Sequence, residues 1–461
     1  MAISLKVKTL PRARRAVVAL PRGAADNLGL HSGQVVELQV GGRTAGARVR
    51  VAPGGAELRS SPHLVRSLAL PAAAPGLVLH AQRWRGRLRL GPVIGIFVDR
   101  ARPGAAPFGR MTPLVAQLCR LGRRQGYLVY VFTPEDVRWG ERRVFGWYPA
   151  GAGWVRRPLP FPDVIYDRIA SRRAARRPAV KRVQARLLQE VGDRYFNRRF
   201  FDKWEVHRIL SRDPRLSAHL PRTERLRGFP QLQQAVRHAG RVWIKPSGGS
   251  LGMGIIVVER RPGRGYRLLR RHGRGWRSQR VWSPRALRRA LPRGLYSGDY
   301  LLQDDLDLAR YQGRPFDIRV LLQRTGSGQW RRTKLYARVA PPGGVTANIA
   351  QGGEGLPVRT VMAGASGEVP QRRDEILRTL RQLSWDLVDA LEAGIGERLG
   401  EVALDLGVDG RGHVWFIEAN SRPARAVETE TGSMKVVRRA LVRPLAYAAH
   451  LAGFRSSPRK G

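Results

Sequence analysis

The stretch Lys245-Pro246-Ser247-Gly248-Gly249-Ser250-Leu251-Gly252-Met253-Gly254 sets four glycines and two serines between two apolar runs. Small residues let backbone N–H groups close on phosphate oxygens, and they reach the φ > 0 conformations that aim successive N–H groups at one anion. The order is not that of a P-loop, in which the lysine follows the glycines, nor of a dinucleotide fingerprint, in which a helix follows. Two readings stand: a glycine-rich β-hairpin folded over a triphosphate, with Lys245 entering from the upstream strand, or an ordinary hairpin turn. A second group is Asp405, in Ala403-Leu404-Asp405-Leu406, with Glu418 and Asn420 in Ile417-Glu418-Ala419-Asn420. Glu418 and Asn420 are two apart on a strand and face the same way. Two carboxylates and an amide oxygen make a hard-oxygen site suited to Mg²⁺ on nucleotide phosphates. The competing reading is scattered acids at an exposed strand end. A third group is Lys203, Asp317, Arg319 and Asn348. Cations on cleft-facing strands can hold a phosphoryl group and neutralise charge that develops during its transfer.

These side chains need elements to hold them. Residues 241–245 and 255–259 read as the strands flanking the glycine loop, and strands are expected at 300–303, 317–323, 334–339, 402–406 and 413–417. Residues 202–210 predict a helix opened by Lys203. Ile376, Leu377, Leu380, Leu383, Leu387, Val388 and Leu391 share one face at 3–4 spacing, which predicts an amphipathic helix. Residues 261–282, rich in Arg, Gly and Trp, are expected to leave the sheet as an excursion. Upstream, Val93-Ile94-Gly95-Ile96-Phe97-Val98 is an apolar run of the kind a buried parallel strand shows. A helix over 113–125 behind Thr112 as N-cap, and a strand at 128–132, complete a β-α-β unit. Residues 138–157 read as a hairpin or loop insert. The first 90 residues read as a small β-rich module with strands at 16–20, 35–40 and 47–51. The expected organisation is a β-rich module (1–90), a β-α-β domain (91–191), a large α/β domain (192–455) and a frayed tail (456–461).

Composition narrows the function classes. With 461 residues and 43% hydrophobic side chains, wholesale disorder is excluded. The single cysteine, Cys119, excludes an intramolecular disulfide framework and a multi-cysteine zinc site. No apolar run approaches the roughly 18 residues of a membrane span, and no signal-peptide core is visible, so no membrane insertion and a cytoplasmic setting are expected. The net charge is +49, yet only eight of the 84 basic residues are lysine. Arginine is spread along the whole chain, which fits a coding bias and a solvated basic surface. Such a charge also attracts polyanions non-specifically at low salt. In a chain that writes Arg almost everywhere, Lys203 and Lys245 mark places where Arg would not serve. A nucleic-acid binder is a separate reading, with Trp276, Arg277, Arg280 and Trp282 as its weak aromatic-basic cluster.

Taken together and in order, Phe201-Asp202-Lys203-Trp204, Trp243 to Gly252, Phe316-Asp317-Ile318-Arg319-Val320, Asn348-Ile349-Ala350-Gln351-Gly352-Gly353 and Val414 to Asn420 resemble the ATP-grasp superfamily, and within it the YheC/YheD family of endospore coat-associated proteins. The superfamily likeness covers about residues 192–452. The family likeness extends to 91–168 and, more loosely, to the N-terminal module. The resemblance implies an α/β multidomain chain with an ATP-grasp fold behind a pre-grasp domain. It implies ATP contact by Lys203 and Lys245, and a phosphate-covering loop that includes Ser247, Gly248, Gly249, Ser250 and Gly252. Gln303, Asp304 and Asp305 fall at the hinge that holds adenine and ribose, where the family usually carries a Glu. Asp405, Glu418 and Asn420 match the ligands of Mg²⁺, two ions in this reading. Arg319 and Asn348 match positions on the phosphate and acyl-phosphate side. The implied activity is ATP-dependent activation of a carboxylate, acidic in character, for attack by an amine. Spore-coat proteins are the implied partners, and the spore coat is an implied location beside the cytoplasm. The alternative is a coat-assembly protein that keeps the fold and nucleotide binding but turns over little.

Overall fold

The computed structural model describes residues 2–10, 15–55, 57–71, 77–151, 153–249, 252–272, 275–349, 352–423 and 433–454. The N-terminal module is a closed barrel of seven strands: Ile3–Thr9, Glu57–Ser60, Val17–Pro21, Arg43–Ala52, Val35–Val40, Arg87–Gly91 and Val78–Trp84, in that order around it. Arg43–Ala52 alternates in and out, so Ala47 and Val49 point into the core while Arg48 and Arg50 face water.

The second unit is a mainly parallel sheet. Val93–Phe97 lies between Leu128–Phe132 and Val164–Asp167, both parallel to it. All three strands are buried along their whole length, which is why they read as unbroken apolar runs. The hairpin Arg143–Ala150 and Gly153–Pro160 extends this sheet. The helix Thr112–Arg124 packs on it, starting one residue earlier than expected. Thr112 is therefore inside the helix rather than at its cap, and its hydroxyl accepts from the Phe108 N–H at 3.0 Å.

The rest of the chain builds two antiparallel sheets that face one cavity. The upper sheet runs Thr223–Arg225, Tyr300–Asp304, Arg241–Pro246, Ile256–Arg261, Gly265–His272, Gly275–Val281. The expected excursion at 261–282 is in fact two of its six strands. Gly275–Val281 is exposed except at the half-buried Trp276 and the buried Val281, so it lacks the apolar alternation by which a strand is read. Backbone pairing to Gly265–His272 forms it instead. The lower sheet runs Glu354–Leu356, Trp330–Val339, Arg314–Arg324, Glu401–Val408, Val414–Asn420. The helix Arg373–Ile395 covers its far side with Ile376, Leu380, Leu383, Leu387 and Leu391, the face the spacing predicts.

The C-terminal helix Met434–Leu451 turns back to the parallel sheet. Leu441, Leu445 and Tyr447 pack in one core with Ile94, Ile96 and Val129. Phe454 is 2% exposed and lies under the Arg89 guanidinium, so the chain is anchored up to that residue. The expected tail at 456–461 lies outside the described residues. No helix among the described residues is long and apolar enough to cross a membrane.

Candidate active site

Strand register brings the charged residues of the lower sheet into one row. Tyr336 stands opposite Arg319, Arg319 opposite Asp405, and Asp405 opposite Glu418, across four adjacent strands. Residues in such a row share a face, here the one toward the cavity. Asn420 is two residues beyond Glu418 on the same side. Arg319 Nη2 donates to Asp405 Oδ2 at 2.9 Å, and its Nε lies against Asp405 Oδ1. Arg338 joins from the neighbouring strand. Its Nη2 is 2.8 Å from Asp405 Oδ2, and Nε and Nη2 grip Asp317 at 2.6 and 2.7 Å. Burial works against the Asp405 charge, but Arg319 and Arg338 outweigh it and hold the carboxyl below the usual carboxylate range. Burial wins at Asp317, which is raised despite Arg338.

The two scarce lysines approach from above and from the side. Asp202 caps the helix Lys203–Leu210 by accepting from the Trp204 and Glu205 N–H groups at 3.0 and 3.1 Å. This cap points Lys203 at the row, where its Nζ donates to Glu418 Oε1 at 2.6 Å and to the Gly249 carbonyl at 3.2 Å. Lys245, near the end of Arg241–Pro246, donates to Gln303 Oε1 and lies 5.3 Å from the Trp243 ring centre. Although Lys245 retains some solvent contact along the cavity, its ammonium is crowded. Burial first, then the charge of Lys203, bring it down to about 8, against the pull of Glu418 and Asp305.

The loop after Lys245 returns as Ile256–Arg261, paired antiparallel to Arg241–Pro246. Gly254 sits at φ 73°, and a Cβ there would come within 2.9 Å of Pro246 Cγ, so glycine is required. Gly249 and Gly252 line the cavity. Ser247 turns elsewhere: its hydroxyl donates to Asp202 Oδ2 at 2.6 Å, and its carbonyl accepts from the Lys203 N–H at 3.1 Å. It thereby ties the loop to the Lys203 helix and is not part of the wall. Gly248 is also off the wall, beside the Arg176 guanidinium. Ser250 lies outside the described residues.

Gln303, Asp304 and Asp305 all reach the cavity, together with Lys203, Lys245, Arg319, Asn348, Asp405, Glu418 and Asn420. Gln303 is fixed by donating to Thr223 Oγ1 at 2.8 Å, and Asp305 accepts from the Trp243 indole. The cavity has a volume of about 1110 Å³. Among the lining residues that sequence reading did not assign to this cavity are Arg338 and Trp276. Arg338 lies in Ala337-Arg338-Val339, with the same apolar flanks as Arg319, but so common a residue gave no contrast. Trp276 packs edge-on to Trp243 at 6.3 Å, whereas Trp282 is 69% exposed.

The donor set suits a hard divalent cation. Asp405 and Glu418 are paired in register and Asn420 adds an amide oxygen, so three hard oxygen donors meet at one corner of the cavity. No group of three or more His, Cys, Asp or Glu placed to hold a metal ion occurs among the described residues, so the amide oxygen of Asn420 is needed to complete the set.

The family described as YheC/D like ATP-grasp matches residues 192–451. The endospore coat-associated protein YheD of Bacillus subtilis (strain 168) is 27% identical over 365 residues, covering 79% of this chain and 80% of YheD. YheC of the same organism, also an endospore coat-associated protein, is 22% identical over 315 residues, covering 67% of this chain and 84% of YheC. Among solved structures, D-cycloserine synthetase DcsG overlaps with a TM-score of 0.44 at 14% identity, over 79% of this chain and 100% of that one. The matched span exceeds half of the sequence and contains both cavity-facing sheets, and the chain belongs to the YheC/D-like ATP-grasp family.

Proposed function

We propose that this chain is an ATP-dependent ligase that activates a carboxylate as an acyl phosphate for attack by an amine. One observation carries the reading: Lys203, Lys245 and the Arg319–Asp405–Glu418–Asn420 corner meet at a single cavity. In the first step a substrate carboxylate oxygen bonds to the γ-phosphorus as the bond to ADP breaks. In the second the amine nitrogen bonds to the acyl carbon, phosphate leaves with the electron pair, and the amine sheds a proton. The protein's share is positioning and charge. Lys203 and Lys245 would hold phosphate oxygens, Gln303 and Asp305 would orient the nucleoside, and Arg319 and Asn348 would face the transferred group. Mg²⁺ held by Asp405, Glu418 and Asn420, as one or two ions, would neutralise charge across the phosphates. Gly249 and Gly252, on the loop above, would exclude water from an intermediate that hydrolyses readily. In this reading residues 192–455 are the catalytic unit, with 1–90 and 91–191 as accessory units, and its setting is the cytoplasm or, by the names of its relatives, the spore coat.

A second reading, a coat-assembly protein that binds nucleotide but turns over little, is favoured by one feature. Asp405 is already neutralised by two arginines, a cluster that holds together without metal. Calorimetry with Mg-ATP, followed by phosphate release with pooled amino acids and acidic peptides, separates the two. The ligase reading expects carboxylate-stimulated turnover that Glu418→Gln lowers by about 100-fold or more. Nucleotide binding with no stimulation by any carboxylate would leave the assembly role standing.

A further inference from the structure

A second cavity of about 920 Å³ opens at the carboxyl ends of the parallel strands Val93–Phe97 and Val164–Asp167. These strands are neighbours, and Leu128–Phe132 lies on the other side of Val93–Phe97, so the cavity sits at the crevice where an open parallel sheet reverses its strand order. It shares Arg110 and Ala170 with the cavity that holds the lysines and carboxylates, so the two spaces meet. The larger cavity already exceeds the usual room for one small ligand, roughly 300–1,000 Å³, and the second nearly doubles it.

The lining is one-sided in charge. Seven arginines and one carboxylate, Asp99, face this space, against 84 basic and 35 acidic residues in the whole chain. Arg168 is committed to Glu401 at 3.3 Å, and Arg100 and Arg177 each lie 3.8 Å from Asp99. Arg102, Arg110, Arg173 and Arg176 are exposed and make no side-chain hydrogen bond or ion pair among the described residues. Arg176 also lies beside Gly248, at the start of the glycine loop. Planar guanidinium groups grip carboxylates in pairs of hydrogen bonds. A nucleic acid would want stacking surfaces, but the one aromatic ring in the lining, Phe108, is 8% exposed.

We propose that this arginine-lined cavity seats an acidic peptide. One of its carboxylates reaches the adjoining cavity while its neighbours are held by Arg102, Arg110, Arg173 and Arg176. The proposal rests on the ligase reading for what happens to that carboxylate, but binding itself can be measured apart from it. The probe is fluorescein-labelled hexaglutamate, titrated by anisotropy against the full chain at physiological salt, without nucleotide. Arg173→Gln/Arg176→Gln should weaken binding about tenfold, the contribution of two solvent-accessible charge contacts. Arg120→Gln/Arg124→Gln, which removes the same charge outside the cavity, should leave it unchanged. Mg-ATP affinity should be the same in all three proteins. Equal weakening by both double variants would mean bulk charge attraction and overturn the proposal. A six-nucleotide oligo-dT that binds more tightly than the peptide and responds to the same variants would overturn it in favour of nucleic acid. Loss of Mg-ATP binding in the wild-type protein with peptide binding intact would instead defeat the ligase reading and leave the peptide seat standing.

Discussion

At the scale of single residues, the most informative group is Lys245. Its ammonium is held to about 8, while in an unfolded chain it would stay protonated to about 10.5. Between those values the unfolded state binds more protons, so this group makes folding stability rise with pH across that window. Its effect on function has the opposite sign, because a phosphate needs the charged form. Mg-ATP affinity should therefore fall about tenfold between roughly pH 7.5 and pH 9. Lys245→Arg should bind more weakly but with a flat profile, since a guanidinium does not titrate there. Calorimetry across that range checks both, and a flat wild-type profile would remove Lys245 from the phosphate path. Lys203 and Lys245 were legible because lysine is scarce in this chain. Arg338 was not, although it bridges Asp317 and Asp405, because no arginine stands out from the other arginines.

At the scale of elements, helix spacing was read well and helix contact was not. The face of Arg373–Ile395 follows from its apolar period, but its partner does not. Near its end, Gly394 meets Ile209 of the helix Lys203–Leu210, and a Cβ there would come within 2.4 Å of Ile209 Cγ2. Alanine would gain about 1 kcal/mol of helix propensity. The clash should outweigh that gain, because Cγ2 is a methyl on the stiff, β-branched side chain of Ile209, which is packed in the core. Gly394→Ala should lose roughly 1–3 kcal/mol of stability and weaken Mg-ATP binding by shifting the helix that carries Lys203. Urea unfolding and calorimetry test the pair of effects. Wild-type affinity in a destabilised variant would show that Lys203 is not positioned by this contact. The strand Gly275–Val281 shows the converse limit, since a strand formed by backbone pairing need carry no apolar signal of its own.

At the scale of the whole molecule, buried polar bonds join the parallel sheet to the lower sheet beside the site. Arg422 Nη2 lies 3.0 Å from Asp167, which is fully buried, and donates through its other nitrogens to the Asn197 and Ile169 carbonyls. Tyr166 donates to Glu401 at 2.5 Å, and Gln323 donates to the other oxygen of Glu401 at 2.9 Å. Asn197 ties both site-bearing strands, accepting from Gly400 N and donating to the Glu401 and Ser421 carbonyls. Burial raises the Asp167 carboxyl even with Arg422 in place, so removing the cation should be costly. Arg422→Leu should lose roughly 3–5 kcal/mol, and Asp167→Leu in the same chain should recover part of it. Guanidinium denaturation reads both, and a single-variant loss below about 1 kcal/mol would mean the pair does not join the units.

The amino-acid sequence by itself determined the α/β class, the family, the glycine loop between two strands and several of the residues that face the cavity, Lys203, Lys245, Asp405 and Glu418 among them. Local chemistry and strand or helix period suffice for these. Only the tertiary structure decided what depends on residues distant in sequence. Register set Asp405 against both Arg319 and Glu418, a hydroxyl bond turned Ser247 from the wall toward Asp202, and backbone pairing made strands of Gly265–His272 and Gly275–Val281. It also turned the last helix back onto the parallel sheet and gathered arginines from several segments around one cavity. Periodicity fixes which face of an element is apolar, but the partner for that face is chosen by packing across the whole chain.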